Sequence, residues 1–585
     1  MTEFLLEERT RNVLYLLLIG FCMLEGFLLH KRLSSAPRTD AQAPAALKSL
    51  PDRLAALGTH PLTWLTVALT LGGALRFYGL DFGLPNAYHP DELQKANFLR
   101  KMMSAHRLDP HFSLQPPLLL YLSWIVSNTL EWLQLFTENT IVRNLFAGRF
   151  VNACFGTFSI YLVYAIGKRI SAPFTGAFAA LLLAVFPLHV TNSRYMKEDA
   201  LFLTFVLACV LAVLKFVDEK KLRYLYLAGL LAGFAFGSKY TGIVSFAIVL
   251  MAAWLPREKF SFIPNWRVLG HACCALLFMA LGFLLTVPYV FGNFEGLRQI
   301  FEGFGAESRH AMRGHLGLVI DPWSQLWMYH FSRSILPGVQ LVPALAALLG
   351  AGYALRKWEP KLLWIVALMF MFYLPAEWAR SKPPPQPDRY VLACVPFMAI
   401  LAAELVRQLS FHIRTTTVAA LCVAFLAFPL TRTLFLASEL RDDTRKQMTE
   451  WMAENLPPGS RILLAGGTTY LPRVPMKFKA DSARKFVGRD KTHIARSLRD
   501  SGYDYFLTTS FNDGRFSVDT GKDSRVRDAF KRIDKAFPLA AQAKPKWGSY
   551  GFHNPTISLY SLKQSKGAEQ PSESAAAEAT TESGS

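Results

Sequence analysis

The sequence is short of charge and has no cysteine pattern. Only 18% of its 585 residues are charged, whereas soluble globular proteins carry about 25%. All seven cysteines lie in apolar runs and none in the long polar C-terminal region, which argues against a disulfide framework or a cysteine-based zinc site. The low charge therefore argues against an ordinary soluble protein, and the cysteines say little about the compartment.

Two further features are missing. No basic–aromatic stripe or zinc-ligand spacing accompanies the net charge of +20, so we expect no nucleic-acid partner. The first apolar run, Asn12–Leu29, lacks both a clean basic leader and a convincing cleavage site, so we expect a retained helix. In a polytopic membrane protein Lys and Arg accumulate in cytoplasmic loops, and this accounts for the net charge.

Long apolar runs are what the sequence does contain. Runs of about 17–25 residues, each long enough to cross a bilayer, recur along most of the chain. We therefore predict a mainly α fold, a polytopic transmembrane bundle with about twelve crossings plus interfacial helices. The predicted crossings are Asn12–Leu29, Leu62–Tyr78, Phe150–Gly167, Ala172–His189, Ala200–Phe216, Tyr224–Ser238, Gly242–Leu255, Val268–Tyr289, Ile335–Leu355, Leu362–Glu377, Tyr390–Val406 and Thr415–Leu436.

The distribution of basic residues orients these crossings. The basic linker after the first run should be cytoplasmic, which places the loop of residues 80–149 on the exoplasmic face. Whether the apolar run Pro116–Phe136 in that loop crosses is open. We expect an interfacial helix, because a crossing would move the later basic turns outside.

We divide the chain into four parts. Residues 1–61 form an extra N-terminal transmembrane helix and a cytoplasmic linker, and residues 62–436 form the main transmembrane domain, with the exoplasmic loop 80–149. Residues 437–563 have the composition of a small soluble α/β domain on the exoplasmic side. The Ser/Ala/Glu-rich tail, residues 564–585, is disordered by composition. The predicted strands of the α/β domain are Arg461–Ala465, Tyr503–Thr508 and Thr556–Tyr560.

Two adjacent carboxylates, Asp91 and Glu92, stand where the second apolar run ends. An ionisable group at a membrane boundary is a functional hypothesis by default. A carboxylate there can take a proton from an acceptor hydroxyl, and Arg or Lys beside it can hold a phosphate. The predicted topology brings more polar groups to the same face: His89, Arg149, Arg194, Glu198, Asp199, Lys239, Arg389 and Tyr390.

Each of these residues also has a structural interpretation. Asp91 and Glu92 could belong to a solvated loop, Arg194 and Asp199 could form an interfacial ion pair, and Lys239 could snorkel. His89 could cap a helix or bind metal. The spacing of five residues between His310 and His315 differs from the four of a helical metal pair. A divalent ion held by Glu92, His310 or His315 therefore stays open, and no other cofactor is expected.

Five motifs occur in an order that resembles a known family. His89-Pro-Asp-Glu92 follows Leu75-Arg-Phe-Tyr-Gly79, and Gly148-Arg149-Phe150 precedes Gly156 by a short interval. Ser193-Arg194 precedes Asp199, Gly233 precedes Lys239, and Arg389 precedes Tyr390. Over Leu62–Leu436 the chain resembles the protein O-mannosyltransferase and aminoarabinose-transferase branch of the GT-C glycosyltransferases, which are integral membrane enzymes that use polyprenyl-phosphate sugars.

The resemblance implies roles for these residues. Asp91 would be the catalytic base, with Glu92 beside it in acceptor or metal contacts and Asp199 in the second acidic motif. The lipid phosphate of the donor would be bound by Arg149, Lys239, Arg389 and Tyr390, with His89, Arg194 and Glu198 as accessory residues. Gln115-Pro-Pro stands where the family frequently has Lys-Pro-Pro, which removes one possible phosphate ligand.

The sequence thus predicts a membrane glycosyltransferase that works on the exoplasmic face with inversion. Its partners would be a polyprenyl-phosphate sugar, membrane lipid, and a glycan, lipid or protein acceptor. The lack of the sugar-binding domain inserted in the eukaryotic enzymes favours a bacterial inner membrane. A transporter or flippase for lipid-linked saccharides and a non-enzymatic membrane receptor are the alternatives.

Overall fold

The computed structural model describes residues 2–35, 60–136, 139–255, 262–292, 294–313, 319–382, 387–466, 470–482, 494–514 and 524–563. The chain forms two compact units. The first comprises Met1–Arg441 together with the short segment Tyr550–His553, and the second comprises Asp442–Ser549 and Asn554–Ser585. The predicted tail lies outside the described residues, as does most of the predicted cytoplasmic linker.

The first unit is built from helices, most of which are apolar. In its first half they are α1 (Thr2–Ser35), α2 (Pro61–Phe77), α3 (Pro90–Ala105), α4 (Leu118–Trp132), α5 (Thr140–Ile170), α6 (Pro173–Val185), α7 (Pro187–Asn192), α8 (Asp199–Glu219), α9 (Leu222–Ser238) and α10 (Ser245–Met251). In its second half they are α11 (Trp266–Thr286), α12 (Phe294–Arg313), α13 (Leu336–Val339), α14 (Leu341–Lys357), α15 (Pro360–Trp378), α16 (Val395–Ser410) and α17 (Thr415–Ser438).

Within the described part of the chain, seven helices are long and apolar enough to cross a membrane, or eight if one bent pair counts as a span. The fold class predicted from the sequence, a membrane bundle with a small α/β part, is confirmed. Every predicted crossing overlaps a helix, although several of these helices are shorter than a full span. The seven helices that are long and apolar enough to cross are Thr10–Leu29, Thr140–Ile170, Asp199–Glu219, Trp266–Thr286, Pro360–Trp378, Asp388–Ser410 and Thr416–Ser438.

Proline positions and buried apolar faces explain how these helices are arranged. Pro61, Pro90, Pro173 and Pro187 each stand in the first turn of a helix, where a missing N–H costs nothing. The helices α6 and α8 are buried on nearly every side and form the centre of the apolar core. In contrast α1, which packs on α14, exposes large apolar side chains such as those of Leu17 and Phe21, as a lipid-facing helix does.

The helix α4 corresponds to the uncertain run at 116–136. It has 15 residues, a length of about 22 Å at 1.5 Å per residue, which is short of the roughly 30 Å of a hydrocarbon core. One face packs on α5 through Leu119, Leu120 and Ser123, while Ile125 and Trp132 are exposed. Its two unlike faces support the interfacial prediction.

The second unit is a five-stranded sheet with helices. Its elements are α18 (Thr444–Asn455), β1 (Arg461–Leu464), β2 (Lys479–Ser482), α19 (Ile494–Arg499), β3 (Tyr505–Thr509), α20 (Ser510–Asp513), α21 (Ser524–Ala536), β4 (Leu539–Ala543) and β5 (Ile557–Ser561). The strand order is β2-β1-β3-β5-β4. The strand β1 is parallel to both of its neighbours, β2 and β3, whereas β5 is antiparallel to both of its neighbours, β3 and β4. The three predicted strands coincide with β1, β3 and β5. The exposed β2 and the mostly exposed β4 lack the apolar pattern by which a strand is found.

Candidate active site

The site is organised around the N-terminus of α3, where the two adjacent carboxylates lie. His89 is the N-cap residue, and its Nδ1 accepts a hydrogen bond of 3.1 Å from the backbone N–H of Asp91. Pro90 follows, so Asp91 and Glu92 occupy the first turn of the helix. Negative side chains are stabilised there by the helix dipole. The sequence His-Pro-Asp-Glu therefore begins a helix and fixes both carboxylates at its positive end.

Glu92 is fully buried and is held by Arg149 from α5. The guanidinium donates two hydrogen bonds to the carboxylate, of 2.8 and 2.9 Å, and the backbone N–H of Met196 donates a third of 2.8 Å. Arg149 also donates to the carbonyl oxygens of Leu80 and Phe82 at 2.8 and 2.7 Å and lies 3.8 Å above the Phe82 ring. The structure thus places the predicted phosphate ligand Arg149 in a buried pair that positions the loop, away from solvent.

Asp91 has a different environment. Its Oδ2 lies 2.5 Å from Nζ of Lys197 and 3.7 Å from a guanidinium nitrogen of Arg389. Its side chain is 28% exposed, whereas those of Glu92, Glu198 and Asp199 are exposed by no more than 2%. Of these four carboxylates, Asp91 is the one that a substrate can reach.

The second acidic motif lies directly beside the first. Glu198 is buried between Lys95, with which it forms a very short contact, and Lys197, whose Nζ is 3.1 Å from its Oε1. Asp199, at the start of α8, accepts a hydrogen bond of 2.6 Å from Lys239. The structure therefore brings together most of the residues predicted from five separate stretches of sequence. We call this set the charged cluster: Asp91, Glu92, Lys95, Arg149, Lys197, Glu198, Asp199, Lys239 and Arg389.

A glycine on α5 allows the second motif to approach so closely. A Cβ atom on Gly148 would lie 2.1 Å from Cγ of Met196, well inside the contact distance of two carbon atoms. This glycine, next to Arg149, therefore lets the loop that carries Lys197 and Glu198 pack directly on the helix backbone.

Arg389 and Tyr390 approach from the second half of the unit. One guanidinium nitrogen of Arg389 lies 3.3 Å from Nε2 of His89, so this arginine spans the histidine and Asp91. Its guanidinium also lies 5.9 Å from the Tyr390 ring. Arg194 donates a short hydrogen bond to the carbonyl oxygen of Tyr78 and lies 5.9 Å from the Phe82 ring, so it braces the loop that enters α3.

The pKa values of the cluster follow from burial and from the neighbouring charges. Burial by itself would raise the pKa of Asp91, but the cations Lys197 and Arg389 outweigh it and hold that pKa well below its usual value. Burial lowers the pKa of Lys95 to about 8, against the opposing effect of Glu198. Burial also lowers the pKa of His89, so its ring is neutral and can accept a hydrogen bond. Asp91 is thus ionised but firmly paired.

Of the residues suggested for a metal, the structure describes Glu92 and His310. Both oxygens of Glu92 face Arg149, and His310 lies on α12. His315 lies outside the described residues. In the described part of the chain no group of three or more His, Cys, Asp or Glu is placed to hold a metal ion. We derive no step through a divalent ion.

Sequence reasoning missed Lys95 and Lys197. Lys95 lies one helical turn after Asp91 and Glu92, so its spacing on α3 was a usable signal. Lys197 stands in the Lys-Glu-Asp run before α8, but a lysine near a helix end more often snorkels. Only the folded chain shows that its ammonium group is 2% exposed and faces two carboxylates.

Part of the chain matches a described protein family. Residues 126–283 match the model of the dolichyl-phosphate-mannose-protein mannosyltransferases. The predicted resemblance is confirmed. The matched stretch contains Arg149, Asp199 and Lys239 and begins after Asp91.

A curated relative matches a similar share of the chain. It is dolichyl-phosphate-mannose–protein mannosyltransferase 4 of Saccharomyces cerevisiae, 24% identical over 204 residues. The match covers 32% of this chain and 26% of the yeast protein, so the chain is matched to about a quarter of that relative's length.

Two solved structures are also similar. ArnT from Cupriavidus metallidurans bound to undecaprenyl phosphate is 13% identical with a TM-score of 0.47, covering 85% of this chain and 97% of that one. The Archaeoglobus fulgidus oligosaccharyltransferase in complex with zinc and sulfate is 13% identical with a TM-score of 0.46, covering 84% and 73%. At these identities no residue's role is carried over to this chain.

Proposed function

We propose that this integral membrane protein is a glycosyltransferase. It moves a sugar from a polyprenyl-phosphate donor to an acceptor hydroxyl on the exoplasmic face, with inversion at the anomeric carbon. The observation that carries the proposal is Asp91, the accessible carboxylate in a cluster whose other carboxylates are buried and paired. The family match and the yeast relative support the class of donor.

The proposed step uses the charges around Asp91. Asp91 takes the proton of the acceptor hydroxyl while that oxygen forms a bond to the anomeric carbon. The bond from that carbon to the phosphate oxygen breaks, and its electron pair leaves with the lipid phosphate. Lys197 and Arg389, the nearest cations, stabilise the charge that develops there, with Lys239 beyond them.

The residue roles differ from those that the resemblance implied. We assign Arg149 and Glu92 to positioning, because each satisfies the other inside the protein. Lys197 takes the place of Arg149 among the phosphate ligands, alongside Lys239, Arg389 and Tyr390. Asp199 and Glu198 orient these lysines, and His89 and Arg194 shape the loop. The acceptor, whether glycan, lipid or protein, binds on the Asp91 side, and a bacterial inner membrane is the proposed location.

The lysine–aspartate pair also sets an order of events. While Lys197 and Arg389 hold Asp91, its pKa is too low for an effective base near neutral pH. An arriving phosphate competes for both cations, which releases the carboxylate and raises its pKa. Donor binding therefore precedes activation of the acceptor.

Substitution of Asp91 tests the function. Asp91→Asn in purified protein should abolish transfer from a polyprenyl-phosphate sugar, by about 1,000-fold or more if it is the base, while the lipid donor still binds. The matched control is Asp81→Asn, since Asp81 lies in the same loop but is 58% exposed and 3.9 Å from Arg441. Full turnover by Asp91→Asn would remove Asp91 as the base.

A transporter for lipid-linked saccharides is the second candidate. It is favoured by the broken pair Phe331–Val339 and Leu341–Lys357, which is bent by 108°, since discontinuous helices are typical of transporters. A transporter would move labelled lipid-linked saccharide across a vesicle membrane without any acceptor. Transport by the Asp91→Asn variant at the wild-type rate, with no transfer by either protein, would favour this candidate.

A further inference from the structure

The first unit takes in four residues from near the end of the chain, Tyr550–His553. Tyr550, Phe552 and His553 are all buried in it. The φ angle of Gly551 is +57°, and a Cβ there would lie 3.1 Å from both Thr191 and the hydroxyl of Tyr195. The positive φ favours glycine here, and an added Cβ would press on both neighbours. The segment has a tightly specified place in the unit.

The segment contacts the residue that caps α3. The Phe552 ring lies 4.0 Å from the imidazole of His89, centroid to centroid. The backbone N–H of Phe552 donates a hydrogen bond of 3.0 Å to the hydroxyl of Tyr195, and the ring of His553 stacks on Tyr195 at 5.2 Å. Tyr195 itself packs against His89, at 5.1 Å. Phe552 and Tyr195 thus enclose the imidazole and leave it 1% exposed.

His89 in turn contacts both Asp91 and Arg389. Its Nδ1 accepts from the N–H of Asp91, and its Nε2 lies 3.3 Å from Arg389. A ring that rotated would lose the cap on α3 and the contact with Arg389 together. An imidazolium could accept neither hydrogen bond and would face Arg389 as a like charge.

We propose that Phe552, carried by the segment 550–553, is a positioning residue of the active site, which locks His89 and thereby sets the placement of Asp91 and Arg389. The proposal rests on the function proposed above. It means that sequence more than 450 residues after Asp91 helps to set the geometry of the base. Phe552 does not touch the substrate and acts through the histidine.

The experiment combines a label with turnover in full-length protein in nanodiscs. Diethylpyrocarbonate modification of each histidine is followed by peptide mass spectrometry, and transfer is measured from a polyprenyl-phosphate sugar. In Phe552→Ala we expect the labelling rate of His89 to rise about tenfold and kcat to fall about tenfold. In Phe552→Leu, which keeps an apolar cover over the ring, both should return most of the way to the wild-type values.

The matched control is Tyr550→Phe. It alters the same segment but removes a buried hydroxyl that has no hydrogen-bond partner among the described residues, so neither readout should change. His189 and His330 are also fully buried and report on the fold of the first unit. If Phe552→Ala exposes them too, Gly551→Ala decides instead, since its added Cβ displaces the segment without opening a cavity.

Two results would overturn the proposal. One is a His89 that stays protected when the segment is perturbed. The other is a His89 that becomes labelled while kcat is unchanged. A wild-type protein that fails to transfer sugar would count against the proposed function. Because labelling needs no turnover, it would still test whether Phe552 holds His89 in place.

Discussion

Asp91 and Glu92 are neighbours in sequence but differ in what surrounds them. Glu92 receives three hydrogen bonds inside the protein and is fully buried. Asp91 is partly exposed and is held by an ammonium group and a guanidinium that a phosphate could draw away. At this scale the function depends on which carboxylate can exchange its partners, and that residue is Asp91.

Lys197 is the cation nearest to Asp91, and its removal should change the pH dependence of transfer. In Lys197→Gln the carboxyl of Asp91 loses its nearest cation, so its depressed pKa should rise and the acid limb of kcat/KM should move to higher pH. At neutral pH kcat should fall by about 100-fold, the cost of one lost charge-stabilising donor. A pH–rate profile of the variant against wild type measures both effects.

The matched control for this prediction is Lys239→Gln. It removes the partner of Asp199 rather than that of Asp91, so it should slow transfer without moving the acid limb. An acid limb that moved equally in both variants would show that general charge, and not the Lys197–Asp91 pair, sets the profile.

The sequence could predict which residues share a face of the membrane but not how they pair. His89, Asp91, Asp199, Lys239 and Arg389 could be assigned to one face because the positive-inside rule orients the helices that carry them. Their partners could not be assigned in the same way. The pairing of Arg149 with Glu92 depends on a turn that points the carbonyls of Leu80 and Phe82 inward, and no spacing encodes that direction.

At the scale of elements, α5 is the surface on which the two acidic motifs meet. Gly148→Ala should push a Cβ into Met196, and overpacking of this kind costs roughly 1–3 kcal/mol. We expect a lower midpoint of thermal unfolding and reduced transfer, since Met196 also donates its N–H to Glu92. Stability and transfer should both be partly rescued in the double variant Gly148→Ala/Met196→Ala, because the smaller side chain at position 196 leaves room for the added Cβ.

Gly270→Ala, on α11, is the control for this variant, because a Cβ there has no neighbour within 4 Å. Since Ala favours a helix over Gly by about 1 kcal/mol, Gly270→Ala should not lose stability. An equal loss of stability in the two variants would mean that the approach of Met196 does not account for the effect. The sequence pattern Gly-Arg-Phe suggested a motif at this position, but the clash partner lies 48 residues later and is visible only in the fold.

Elements were predicted well where the apolar pattern was long and poorly where it was short. The helices α5, α8 and α17 agree with their predicted runs because each buries or exposes an apolar surface of full membrane length. The strand β2, exposed along its length, and the mostly exposed β4 carry no alternating pattern and were missed. Pairing with β1 and β5, rather than burial, specifies these strands.

For the whole molecule the decisive quantity is sidedness, which the short helix α4 controls. If α4 does not cross, Asp81 before α3 and Lys220 after α8 face opposite sides of the membrane. If it crosses, they face the same side. Its two unlike faces, one packed on α5 and the other exposed, favour opposite sides.

Cysteine labelling measures this directly in a cysteine-free background. Both positions are exposed, so Asp81→Cys and Lys220→Cys should be accessible to a membrane-impermeant maleimide. In intact cells Asp81→Cys should react, whereas Lys220→Cys should react only after the membrane is permeabilised. Reaction of both in intact cells would mean that an even number of helices crosses between the two positions, as it does if α4 spans the membrane. Reaction of Lys220→Cys alone would place the Asp91 loop inside. Reaction of Lys220→Cys alone would contradict the exoplasmic location of the proposed active site, since Asp91 follows Asp81 in the same loop.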